Sequence, residues 1–218
     1  MNKQTCVFAL LAVLACPAGA QEAWRAHVTA FTDKLYGHVD DSHNRRNYFW
    51  AKKLAAIDHV VLDDDVIFAA AMLHDVGSMD GWTVKDQEHG DTAADKLDKM
   101  LAGTDFPKDK MDRVREAMRT HMFYRQPGPS PEARYLHDAD ALDNTGTIGI
   151  IWMLEGIKAK ATTGFTSQRA IQILSGDPSK IEQGPVTPAG KAEMATRIAE
   201  RKAVMGALAR ETDNFKNF

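Results

Sequence analysis

The run Val66-Ile67-Phe68-Ala69-Ala70-Ala71-Met72-Leu73, followed at once by His74-Asp75-Val76-Gly77, constrains this chain more than any other stretch. Eight successive apolar residues fit a segment buried on all sides. An imidazole and a carboxylate then arrive side by side with no polar transition. Burying both bare is costly, and a divalent metal ion satisfies the two together with neither protonated. A buried His-Asp ion pair that only closes the helix before Gly77 is the plainer reading. The rest of the chain decides between them.

Other His and Asp residues repeat the oddity on separate predicted helices. His43 opens the stripe His43, Asn47, Trp50, Leu54, Ile57, spaced by three and four residues, and so faces the core. His121 closes the stripe Met111, Val114, Met118, His121. Asp140 falls one turn after Leu136 and one turn before Asp143. Ligands that point inward from several helices are how bundles build metal sites.

The order His43, then His74-Asp75, then Asp140 resembles the HD domain superfamily of metal-dependent phosphohydrolases, whose signature is H…HD…D. Ser42-His43-Asn44-Arg45-Arg46 and Ala71-Met72-Leu73-His74-Asp75-Val76-Gly77 resemble its first two motifs. Asp138-Ala139-Asp140-Ala141-Leu142-Asp143, with Gly146 and Ile148-Gly149-Ile150, resembles the fourth. Thr187, Gly190, Arg197, Arg201 and Met205 are similar to the terminal helix of one bacterial branch, so the resemblance runs from about Asp40 to the C-terminus.

The N-terminal residues 1–20 are expected to lie outside the fold. Lys3 precedes the apolar run Cys6 to Ala15, and Pro17-Ala18-Gly19-Ala20 offers an A-x-A site before Gln21, the pattern of a secretory signal peptide. The run is shorter than the about 20 residues a membrane span needs. An alternative keeps Cys16 as a lipidated N-terminus. Both cysteines, Cys6 and Cys16, lie in this segment, so no disulfide framework holds a chain cleaved after Ala20. Residues 21–218 are then one domain relying on one hydrophobic core. The formal net charge of −3, without basic clusters, argues against nucleic-acid polymers and anionic membranes.

The mature region reads as all-α, with no convincing alternating strand. Trp24, Val28, Phe31 and Leu35 mark a first helix ending at Gly37, and a second runs from Ser42 to about Ile57. Asp63-Asp64-Asp65 precedes the buried helix, as acids should at a positive helix end. Further helices are predicted over Asp86 to Leu101, Lys108 to His121, from Ser130-Pro131 onward, over Ile148 to Ala161, and after a Gly/Pro loop from Gly176 to Pro188.

The resemblance implies His43, His74, Asp75 and Asp140 as metal ligands and a phosphorus ester as target. Two imidazoles and two carboxylates favour manganese, iron, cobalt, nickel or zinc over calcium or magnesium. One ion is expected, and two are the alternative, with Asp75 bridging and His89 and His121 holding the second. Otherwise His89 and His121 are substrate-binding or acid-base groups, or satisfied core histidines. Asp75 is also expected to orient or deprotonate the attacking water. Arg46, one turn after His43, can fork onto a phosphate oxygen or pair with an acid on the surface. Asp138 and Asp143 read as acceptors that orient ligating imidazoles, or as solvated helix residues. Lys85 and Arg125 are weaker phosphate contacts. His27, His38, His59 and His137 are given no role.

Three functions fit: an exported phosphohydrolase acting on a nucleotide or other small phosphoester in the periplasm or outside the cell; a di-iron oxygenase of the same superfamily; and a non-catalytic module stapled by its ion. Substrate identity and oligomeric state are not legible in the sequence.

Overall fold

The protein is described here by a computed structural model, which describes residues 18–37, 42–151, 154, 171 and 179–217. Residues 1–17 of the expected signal peptide, with Cys6 and Cys16, lie outside the described residues, as do His38, Asp40 and the loop positions Gly176 and Pro178. No strand occurs among the described residues, and the fold is all-α.

Helix α1 (Ala18–Tyr36) buries Trp24, Val28 and Tyr36 along one face. Trp24 meets Phe68 and Phe106 edge to face, at 5.6 and 4.8 Å between ring centroids. Helix α2 (Ser42–Ile57) turns His43, Asn47, Ala51 and Leu54 inward at intervals of three and four residues. The stripe ends sooner than its spacing predicts, because Ile57 lies in the last turn and is 57% exposed.

Helix α3 (Asp64–Leu73) is the apolar run, and it passes through the middle of the core with Phe68 alone of its eight apolar residues partly open. Asp63 caps it, accepting from the backbone N–H groups of Asp65 and Val66. Asp64 and Asp65 add negative charge to the first turn, where the helix dipole is positive. Asp63 and Asp65 both hold Lys110 at 2.8 Å, and Asp64 and Asp65 both hold Arg25 at 2.8 Å, which ties α3 to its neighbours.

The helix expected over Asp86 to Leu101 is two short ones, α4 (His89–Asp95) and α5 (Leu97–Met100). Asp86 has φ +62°, which no right-handed helix accepts, and Glu88 is extended, so the helix starts at His89. At Lys96 the backbone leaves helical geometry, and the break lets Leu97, Met100 and Leu101 all turn into the core. The helix expected over Lys108 to His121 is a 3₁₀ turn, Lys108–Lys110, followed by α6 (Met111–Arg119), which leaves His121 just past its end.

Helix α7 (Pro131–Asp143) starts where the sequence indicates, with Ser130 accepting from Ala133 N–H and Pro131 in the first turn. Residues 146–151 are helical again, and most of the remaining predicted helix to Ala161 lies outside the described residues. The terminal helix α8 (Pro188–Glu211) is capped by Thr187. Asp138, fully buried on α7, accepts from the N–H groups of Val186 and Thr187 and from the Thr187 hydroxyl, and so fastens α8 to the bundle. No described helix is long and apolar enough to cross a membrane.

A candidate metal centre

Three elements bring the predicted residues together. His43 comes from the first turn of α2, His74 and Asp75 from the end of α3, and Asp140 from the last turn of α7. Ligand atoms of His43, His74 and Asp75 lie within 4.8 Å of one another. Asp140 Oδ1 stands 3.2 Å from His43 Nε2 and 3.9 Å from His74 Nε2, and the two Nε2 atoms are 3.3 Å apart.

The ring orientations follow from what each Nδ1 does. His43 Nδ1 donates to Asp143 Oδ2 at 2.7 Å, and His74 Nδ1 to the Ala71 carbonyl at 2.8 Å. With Nδ1 engaged in each ring, both Nε2 atoms face inward toward the two carboxylates, where an ion can take them. Two imidazole nitrogens and two carboxylates converging in a buried space are the donor set a divalent cation takes, so these residues fit a metal ion.

A second group shares Asp75. His89 Nε2 lies 3.1 Å and His121 Nε2 3.6 Å from Asp75 Oδ1, and the two rings are 3.2 Å apart at Nε2. His121 Nδ1 donates to the Met118 carbonyl at 2.6 Å, the same use of a helix's last carbonyls as at His74. Asp75 Oδ2 faces His43 at 3.4 Å and its Oδ1 stands 3.6 Å from His74 Nε2 as well, so the carboxylate is common to both groups.

The two groups differ in access. His74 is closed to solvent, while Asp75 and His89 are 21% and 24% exposed in their side chains. On that open side a cavity of about 450 Å³ is lined by Gly77, Ser78, Thr83, Glu88 and His89 among others. Gly77 is required for the approach. A Cβ there would run into the backbone carbonyl of His89, which holds α4 against the end of α3.

Burial pushes the His74 imidazole down to about 4, so it stays neutral. Burial pulls His43 the same way, but its hydrogen bonds to Asp140 and Asp143 prevail and raise it to about 10. Asp75 is opposed by burial, yet the surrounding His74, His121 and His89 hold it well below the usual carboxylate range. Asp140 is lowered in the same manner, burial being outweighed by His43 and His121. His121 is raised, with Asp75 and Asp140 overcoming its burial.

Arg46 takes the second of its two sequence readings, pairing with an acid, though a buried one. Its guanidinium forks onto Asp143, with Nε 2.7 Å from Oδ1 and Nη2 2.9 Å from Oδ2, and it also meets Ser42. It therefore braces the carboxylate that orients His43. Of the two flanking acids, Asp143 takes the orienting part, while Asp138 serves the terminal helix. Arg125 is likewise engaged, forked onto Asp91 at 2.9 and 2.7 Å, and Lys85 is exposed. His27 bonds the Met100 carbonyl and His137 bonds Asp138 and the Arg125 carbonyl, away from the centre.

Two residues escaped the sequence reading. Asn47 was visible only as a member of the α2 stripe, and its amide stands among the ligands. Tyr36 closes α1 with its hydroxyl buried beside Asn44, and burial and the charge of Asp75 raise its pKa. A tyrosine at the end of an apolar stripe carries no signal of that position.

The all-helical bundle with this His, His-Asp, Asp centre is an HD-type architecture. Residues 41–145 match the HD domain family, so this stretch of the chain is an HD domain. An HD-superfamily hydrolase from Bacillus thuringiensis is similar in structure at 21% identity, with a TM-score of 0.63, covering 88% of this chain and 97% of that one. YpgQ from Bacillus subtilis, solved in complex with ADP, is similar at 19% identity and a TM-score of 0.62, covering 88% and 96%. A predicted HD-superfamily hydrolase from an uncultured Thermotogales bacterium is similar at 19% identity and a TM-score of 0.56, covering 87% and 91%. No curated protein matches the chain by sequence.

Proposed function

We propose that this chain is an exported metal-dependent phosphohydrolase acting on a nucleotide or another small phosphoester. The observation that carries the reading is the meeting of His43, His74, Asp75 and Asp140, with both His43 and His74 turned to offer Nε2. A divalent transition ion held by these residues supplies Lewis acidity to a phosphoryl oxygen and acidifies a water near neutral pH.

The chain's own groups do the remainder. Asp75, held ionised and partly open, accepts the proton of the attacking water. His89, at the edge of the cavity, hands a proton to the leaving oxygen, and His121 holds Asp75 from the buried side. Arg46 acts through Asp143 on the orientation of His43. The cavity's about 450 Å³ suits a small molecule, and ADP in the Bacillus subtilis relative supports a nucleotide-sized ligand.

Metal content of the native protein, measured together with phosphate release from a panel of nucleotides and sugar phosphates, tests this. We expect one or two transition ions per chain, release from some member of the panel, and loss of both in His74→Ala. A protein that holds no ion and releases no phosphate from any of them overturns the proposal.

The Asp75, His89, His121 group supports a two-ion form of the centre, and with it the second reading, a di-iron oxygenase. Two irons per chain with substrate-dependent oxygen consumption select that reading; manganese, nickel or zinc with phosphate release select the hydrolase. Export rests on the sequence of residues 1–20. The mass of the chain recovered from the periplasm tests it, with Gln21 as the expected first residue and a lipidated Cys16 as the competing outcome.

A further inference from the structure

Asn47 is a fully buried asparagine in the interior of α2, four residues after His43 and on the same face. Asparagine disfavours helix interiors, and a buried amide end left unbonded is costly. Its Nδ2 lies 3.1 Å from His43 Nε2, 3.4 Å from His74 Nε2 and 3.5 Å from Asp140 Oδ1. Its Oδ1 is buried with no hydrogen-bond partner. The amide thus stands on the same small space as three ligand atoms, with its carbonyl end unused.

A cation in that space takes the lone pairs of His43, His74 and Asp140 and repels an NH₂ group pointed at it. A half-turn of the Asn47 side chain exchanges oxygen and nitrogen with almost no change of shape. We propose that Asn47 binds the ion through its carbonyl Oδ1, as a ligand beside His43, His74, Asp75 and Asp140. The inference rests on the metal-centre reading above. A neutral oxygen raises the coordination number without adding charge, which favours ions that accept six ligands, such as manganese and iron, over tetrahedral zinc.

The test loads the purified full chain with Mn²⁺ or Co²⁺. Affinity for Mn²⁺ is read by competition with a chelating dye, and coordination number by the visible absorption of the Co²⁺ form. Asn47→Leu is expected to bind Mn²⁺ weaker by on the order of 10–100-fold, to give stronger Co²⁺ bands as the coordination number falls, and to be no less stable than the wild type without metal. Asn47→Asp is expected to bind Mn²⁺ at least as tightly as the wild type with an unchanged Co²⁺ spectrum, and it carries the test if the leucine variant fails to fold. Wild-type affinity and spectrum in Asn47→Leu, or weakened binding in Asn47→Asp, overturns the assignment of Asn47. His74→Ala separates the two levels: if it binds metal as the wild type does, or the wild type binds none, the metal centre itself falls and Asn47 with it.

Discussion

Asp143 shows how far one carboxylate reaches. It touches no ligand atom of the centre, yet it fixes the His43 ring through Nδ1 and closes a fork with Arg46 while its own side chain is fully buried. Asp143→Ala strands both partners. We expect a loss of about 3–5 kcal/mol in urea unfolding, the scale for breaking a buried pair from one side. Metal affinity should drop roughly 10–100-fold by dye competition, the scale for removing a partner behind a ligand. Asp143→Asn, which keeps an acceptor for His43, should recover most of the affinity and less of the stability.

Proton linkage at His43 and His74 gives signed expectations at the same scale. His43, raised to about 10, holds a proton at neutral pH in the metal-free protein, so an entering ion must displace it. Calorimetry in buffers of different ionisation enthalpy should therefore show proton release near pH 7.5, with affinity climbing as pH rises toward 10. In the metal-free chain the stabilisation from protonated His43 is full below its unfolded value near 6.5 and fades as pH rises through about 10. Neutral His74 works the opposite way: its contribution is full above about 6.5 and lost as pH falls toward about 4. Thermal unfolding of the metal-free protein should accordingly be most resistant near pH 6.5. The ligand order was legible in the sequence because a histidine or aspartate on an apolar stripe is out of place. The engagement of Arg46 was not, because one turn of helix puts a guanidinium equally near a substrate and near an acid from another helix.

Among the elements, the junction between α3 and α4 sets where His89 stands. Gly77 lets the two backbones touch, and Gly90 does the same against Met118 and His121. Gly77→Ala must push α4 away. We expect about 1–3 kcal/mol of destabilisation from overpacking, with the buried His43, His74 and Asp140 side left able to take an ion. If substrate turnover in that variant equals the wild type while metal stoichiometry is unchanged, His89 is not a participant. Helix starts marked by caps were readable at Asp63 and Ser130, because a side-chain acceptor at a helix entrance is a local matter. The split between α4 and α5 was not. Periodicity placed His89, Ala93, Leu97 and Leu101 on one face of one helix, while the chain instead breaks at Lys96 to bury Met100 as well.

For the whole molecule, α8 depends on the buried acceptor Asp138, which gathers three donors from the turn before it. Asp138→Ala should loosen the terminal helix, seen as faster hydrogen exchange over Pro188–Glu211, without changing metal stoichiometry. A change in stoichiometry would instead tie Asp138 to the centre, as its place two residues before Asp140 suggests from sequence alone.

His74 and His121 each anchor the far side of the ring to a main-chain carbonyl three residues earlier, Ala71 and Met118. Those carbonyls belong to the last turns of helices whose own packing keeps them where they are, so the rings are aimed before anything arrives. An ion held there is expected to leave to a chelator and return quickly, as into a socket wired in advance, with amide spectra that scarcely move between the empty and loaded forms.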